Sequence, residues 1–153
     1  MKIVDLLNPN RILPSLIATT KKGVLEELAD AFVKESPNLD RNKVVGVLME
    51  RESLGSTGIG DSIAIPHGKL PNIDNLILCF GRSLQGINFD SMDGKPTHLF
   101  FLLMAPENSI GLHLKALAKI SRMLKDSSFR RRLMEAKDAE GIMKLLVAED
   151  TEP

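Results

Sequence analysis

Two apolar runs limit what this chain can fold into more than any other feature. Residues 76–80 (Leu-Ile-Leu-Cys-Phe) and 98–104 (His-Leu-Phe-Phe-Leu-Leu-Met) have the length of strands and are nearly continuous in apolar character. Strands of that composition are interior strands, covered on both faces. The segments around them carry helical periodicity. Thr20 is placed to cap a helix over residues 21–34, with Val24, Leu25, Leu28, Ala31 and Phe32 on one face. Ser36-Pro-Asn breaks it, and Asp40 can cap a second helix, carrying Val44, Val45, Val47 and Leu48, that runs to about Arg51. Residues 12–17, interrupted by Pro14, read as a short edge strand. Asp93-Gly94 marks a turn between the two apolar runs, and Ile87 and Phe89 alternate with polar neighbours as in a small additional strand.

From about Ser109 the pattern is helical, with Leu112, Leu114, Leu117, Ile120 and Leu124 as an expected buried stripe. Two more helices are expected over residues 128–136 and 139–148, and residues 149–153 read as a disordered tail. This order predicts an α/β fold: a single three-layer α/β/α domain over residues 1–148, with a mixed sheet of four to five strands flanked by helices.

The 153 residues, 16.8 kDa, are enough to bury a continuous core without disulfides or a structural metal. Twenty basic and twenty acidic residues cancel, which leaves no overall charge to attract nucleic acid or an anionic membrane. The one cysteine, Cys79, excludes an internal disulfide, fits a reducing compartment, and lies in an apolar run as a buried structural thiol would. Asp5 interrupts an N-terminal hydrophobic run already too short for a signal peptide, and no stretch approaches the roughly eighteen apolar residues of a membrane span. A cytoplasmic protein without membrane insertion is expected.

The chemistry is expected at His67. It ends the run Gly55-Ser-Thr-Gly-Ile-Gly-Asp-Ser-Ile-Ala-Ile-Pro-His-Gly68, in which a glycine-rich loop feeds a short apolar strand. Pro66 fixes its own φ and pushes Ile65 toward the extended region, while Gly68 lets the chain turn away at once. The imidazole is then presented at a strand end. With an ordinary pKa near 6.5, roughly three-quarters of it is neutral at pH 7 and carries a free lone pair. Gly55, Gly58 and Gly60 permit backbone N–H groups to converge on an anion, so Ser56, Thr57, Gly58, Ile59 and Gly60 form a candidate phosphate loop. A nucleophile beside an anion cradle points to phosphoryl transfer.

Nucleotide binding is rejected. Gly55 to Ser62 has the spacing G-x-x-x-x-G-D-S, but Asp61 stands where a P-loop needs lysine, and the segment that follows reads as a strand instead of a helix. A dinucleotide fingerprint fails because Ile63 replaces its third glycine.

Two further residues belong to the candidate site. His113 lies early in the helix that starts near Ser109; if the strand over 98–104 runs beside the His67 strand, that helix returns over the sheet end and the imidazoles can approach. Arg51 ends the helix that leads into the glycine loop, and its guanidinium suits phosphate oxygens. The histidines have no third ligand at recognisable spacing, so no metal and no cofactor is expected. His98 is expected to be structural with a backbone partner, and Arg130-Arg-Arg132 to be a solvated face.

These residues, in this order, resemble the IIA component of the mannitol/fructose type from the bacterial phosphoenolpyruvate-dependent phosphotransferase system, and most closely its nitrogen-regulatory branch. The resemblance rests on residues 51–69 and on 113–124 (His-Leu-Lys-Ala-Leu-Ala-Lys-Ile-Ser-Arg-Met-Leu), with compatible segments from about residue 3 to 147. It implies a mixed sheet flanked by helices. It also implies that His67 accepts a phosphoryl group from an HPr-like phosphocarrier, that His113 and Arg51 support the site, and that the partners are regulatory targets or a IIB component. The alternative within the family is a sugar-transport IIA subunit passing phosphate to a IIB protein. One departure stands out: relatives commonly carry glycine or asparagine followed by glycine where this chain has Asp61-Ser62. That change stiffens the loop or adds a negative charge near it, and it motivates a further rival, a binding module that has lost phosphotransfer.

Overall fold

The computed structural model describes residues 1–150. Its central strand is the second apolar run, β6 (Thr97–Pro106), and the reason lies in its alternation. Leu99, Phe101, Leu103 and Ala105 point into one hydrophobic cluster, while Phe100, Leu102 and Met104 point into another on the opposite face. A pleated strand sends successive side chains to opposite sides, so a continuous apolar run demands a helical layer above and below. The first layer is α2 (Lys21–Lys34) and α3 (Arg41–Ser53), which supply Val24, Leu25, Leu28, Phe32, Val44 and Leu48. The second is α1 (Ile3–Leu6), α4 (Ile110–Met123), α5 (Ser127–Glu135) and α6 (Ala139–Glu149). The expected side-chain caps form: Thr20 Oγ1 accepts from Gly23 N at 3.1 Å, and Asp40 Oδ1 from Asn42 N at 2.9 Å.

The sheet has six strands, one more than the upper end of the expected four to five. β1 (Ile12–Leu13) runs parallel to β5 (Ile77–Ile87), which is antiparallel to β6. On the other side β6 pairs in parallel with both β3 (Ile63–Ala64) and β4 (His67–Leu70), and β2 (Gly58–Gly60) closes the edge antiparallel to β3. The pairs Ile63↔Leu99 and His67↔Leu103 keep one constant offset, so β3 and β4 follow a single register along β6 with Ile65-Pro66 between them.

Several expectations change at this level. Ile87 ends the long β5 past an irregularity in pairing, and no separate strand forms at Ile87 and Phe89. On α4 the buried face is His113, Ala116 and Ile120, while Leu112 and Leu114 are exposed; three-to-four-residue spacing from Ile120 and Leu124 selects 113 and 116. The expected tail also begins too early. Glu149 closes α6, and Asp150 accepts a hydrogen bond from Ile3 N at 2.6 Å and pairs with the buried Lys119 at 2.5 Å. Residues 151–153 of that tail lie outside the described residues. Arg82, unremarkable in the sequence, is buried and donates to the carbonyls of Pro14, Leu133, Met134 and Ala136, which ties the end of α5 to the sheet.

Candidate functional site

His67 opens β4 instead of closing a strand, because Pro66 interrupts the edge and the chain rejoins β6 immediately afterwards. Gly68 does not turn the chain away. It lies within the strand, where a Cβ would stand 2.5 Å from Val47 Cγ1, so glycine is needed for α3 to pack directly on β4. That contact brings the last turn of α3, and with it Arg51, over the imidazole. Arg51 Nε donates to His67 Nε2 at 3.2 Å, and its NH1 donates to the Gly55 carbonyl at 2.8 Å.

The two ring nitrogens of His67 therefore have different roles. Nδ1 is 2.8 Å from the Ile65 carbonyl, an acceptor, so Nδ1 carries the proton. Nε2 faces the Arg51 donor and holds the lone pair. Burial pulls the His67 pKa below its usual value; the Ile65 carbonyl opposes this, and the Arg51 charge reinforces it. The ring is neutral at pH 7.

His113 meets His67 edge to face, with ring centroids 5.2 Å apart and planes at 71°. The pairing of β4 with β6 produces this approach, since β6 feeds the turn into α4. His113 is 7% exposed, and its Nε2 has no hydrogen-bond partner among the described residues. Burial, then the neighbouring His67 and Lys69, lower its pKa to about 4. Both imidazoles and Arg51 line a hollow of about 510 Å³, together with Leu54, Lys69 and Ile110. Among the described residues no group of three or more histidine, cysteine or carboxylate side chains could hold a metal ion.

The glycine-rich loop is placed differently from the expected cradle. Ser56, Thr57, Gly58, Ile59 and Gly60 do not line this hollow. Thr57 N donates to Glu52 Oε1 at 3.0 Å, Thr57 Oγ1 also bonds the Glu52 carboxylate, and Gly58 N donates to Ser56 Oγ at 3.0 Å. Those amides are already committed within the protein. Glu52 is itself buried and paired with Lys21 Nζ at 3.0 Å, so the loop is fastened to α3 and its contribution at His67 is the Gly55 carbonyl that orients Arg51. Asp61 and Ser62 form the β2–β3 turn and have φ of 55° and 73°. Both occupy the left-handed region that a two-residue hairpin turn requires, which accounts physically for the glycine or asparagine expected there.

Ile63 is buried, whereas Ile59 is exposed. His98 bonds the Ser83 carbonyl through Nδ1 at 2.8 Å, as expected for a structural histidine. Cys79 is fully buried, and burial pushes its thiol up to about 12. Arg130 caps α4 by donating to the Leu124 and Lys125 carbonyls, so this part of the arginine run is structural. Lys69 is one of the lining residues that sequence reading missed; its position two residues from His67 was the available signal, since alternate strand residues share a face.

Comparison with known proteins identifies the family. The family described as "Phosphoenolpyruvate-dependent sugar phosphotransferase system, EIIA 2" matches residues 5–149. A nitrogen regulatory protein of Bradyrhizobium diazoefficiens is 44% identical over 146 residues, covering 95% of each chain. A fructose-specific EIIABC component of Bacillus subtilis is 35% identical over 98% of this chain but only 24% of its own length. The crystal structure of nitrogen regulatory protein IIA-Ntr from Neisseria meningitidis superposes with a TM-score of 0.89 at 35% identity, covering 94% of this chain and 98% of that one. The chain belongs to the EIIA type 2 family of the phosphotransferase system.

Proposed function

We propose that His67 Nε2 accepts a phosphoryl group from a phosphohistidine carrier of the HPr type and that the phosphorylation state regulates protein partners. The observation that carries this is the assignment of the two nitrogens: Nδ1–H is held by the Ile65 carbonyl, and Nε2 is unprotonated and faces Arg51 beside the hollow that both residues line. In the transfer the Nε2 lone pair forms the new N–P bond as the donor's N–P bond breaks. The donor imidazole, protonated at its other nitrogen, leaves neutral. His67 keeps its Nδ1 proton and becomes the cationic phospho-imidazole, so no proton changes hands, and the Ile65 carbonyl stabilises the charge.

Arg51 must release Nε2 for this step, and its guanidinium then meets the phosphoryl oxygens. His113, neutral and without a partner at Nε2, is poised at the ring edge to bond the same group. The glycine-rich loop acts through the Gly55 carbonyl, which holds Arg51 NH1, instead of by direct contact from residues 56–60. The exposure of Leu54 (82%), Ile110 (59%) and Leu114 (62%) near the hollow supports a protein donor, since small polar substrates have no use for an apolar rim. Among the described residues no helix is long and apolar enough to cross a membrane, and the reading takes the protein as cytoplasmic. The phosphate adds about −1.5 to −2 charges to this rim, enough to change which partner it accepts.

The test supplies phosphoenolpyruvate with the general phosphotransferase proteins. The wild type gains one acid-labile phosphate and His67→Ala gains none; an unmodified wild type beside an active donor control would favour the binding module. The fructose-specific relative supports a second reading, transfer from His67 to a IIB component. A purified fructose or mannitol IIB protein that takes the phosphate as fast as the donor delivers it would favour that reading.

A further inference from the structure

β4 presents alternate residues to the two sides of the sheet: Gly68 and Leu70 are buried, whereas His67 and Lys69 share the partly open face. Residues two apart on a strand stand about 6.6 Å from one another, which a lysine side chain spans. Lys69 lines the same hollow as His67, Arg51 and His113, and no hydrogen bond or ion pair engages its ammonium group among the described residues. Lys21 and Lys119, by contrast, are paired with Glu52 and Asp150. An unpaired cation beside two neutral imidazoles has no partner in the resting protein and gains one when a dianion arrives.

We propose that Lys69 is a further catalytic residue, whose ammonium group contacts the phosphoryl group on His67 Nε2 and, with Arg51, neutralises its charge. The inference rests on the phosphocarrier reading. It gives the phosphoryl group cations from two separate elements, Arg51 from α3 and Lys69 from β4, with His113 on the α4 side and Glu50 the one carboxylate lining the hollow among the described residues. Burial is the main cause that lowers the pKa values of His67 and His113, and the Lys69 charge adds a smaller contribution in the same direction.

The experiment compares wild type, Lys69→Gln, Lys69→Arg and His67→Ala with phosphoenolpyruvate and the general phosphotransferase proteins. Initial rates of phosphate uptake are measured, and the phosphoryl ionisation of the product is followed by phosphorus NMR against pH. Loss of one preorganised but partly solvated charge is expected to slow uptake about tenfold in Lys69→Gln. The phosphoryl ionisation should move up by about one pH unit, while Lys69→Arg retains most of the rate and the wild-type midpoint. Unchanged urea midpoints and an unmoved His98 resonance establish that the fold is intact. Lys69→Gln with wild-type rate and midpoint overturns the inference alone. A slower rate with an unmoved midpoint also overturns it, because Lys69 then serves the donor's surface and not the phosphate. A wild type that takes no phosphate overturns the phosphocarrier reading and this inference with it.

Discussion

Replacing Gly68 by alanine would put a methyl group 2.5 Å from Val47 Cγ1 and 3.4 Å from Met104 Cε. Carbon atoms rest at about 3.5–4.0 Å, so the Val47 contact falls short by about 1 Å or more. A β-branched side chain on a helix has essentially one χ1 rotamer available and cannot swing away, so α3 must lift from β4. Such overpacking costs about 1–3 kcal/mol. Arg51 lies one turn beyond Val47 on the same helix face, and its 3.2 Å bond to His67 Nε2 does not survive a displacement of that size. Urea unfolding of Gly68→Ala should therefore show a lowered midpoint, and phosphate uptake should fall as well. Val47→Ala removes the colliding atom, so the double variant should recover stability with a coupling of about 1–2 kcal/mol. Gly68→Ala within about 0.5 kcal/mol of wild type, or a coupling near zero, would refute the close-packing account.

The remaining predictions concern strain, titration and the C-terminus. Ser62 at φ 73° bears a left-handed cost of about 1–2 kcal/mol, partly offset by the flexibility glycine brings to the unfolded chain, so Ser62→Gly should raise thermal stability by about 0.5–1 kcal/mol; no gain would mean the turn is unstrained. His113 titrates near 4 in the folded protein and near 6.5 when unfolded, so the unfolded state binds the extra proton first and stability falls as pH drops from about 6.5 to about 4, with His67 acting in the same direction. Urea midpoints across that window should fall less steeply in His113→Asn, and identical slopes would count against a buried neutral His113. Asp150→Ala leaves the Lys119 ammonium buried without its carboxylate and should cost about 3 kcal/mol in urea unfolding, whereas a wild-type midpoint would return Asp150 to the disordered tail.

What the sequence determined by itself was whatever depends on local rules. Two continuous apolar runs required helices on both faces, and a 3.6-residue period with Thr20 and Asp40 at the starts located α2 and α3. The motif around His67 singled out three side chains that the fold then brings together. Hydrogen-bond partners beyond the helix caps were not legible, because they depend on how the chain is folded even where the residues lie close in sequence, as Glu52 and Thr57 do. Thr57 and Gly58 look free for an anion in a glycine-rich stretch, yet buried amides must be bonded, and Glu52 and Ser56 claim them. Gly68 looked like a turn until the depth of α3 against β4 showed that the space was needed. Asp150 and Arg82 behaved likewise, polar by composition and structural by virtue of Lys119, Ile3 and the end of α5. Periodicity and motif spacing are properties of neighbours along a chain. Which nitrogen of His67 keeps its proton is set by the Ile65 carbonyl two residues away, but the groups that surround the ring come from α3, β4 and α4 in separate parts of the sequence, and only tertiary packing sets that convergence.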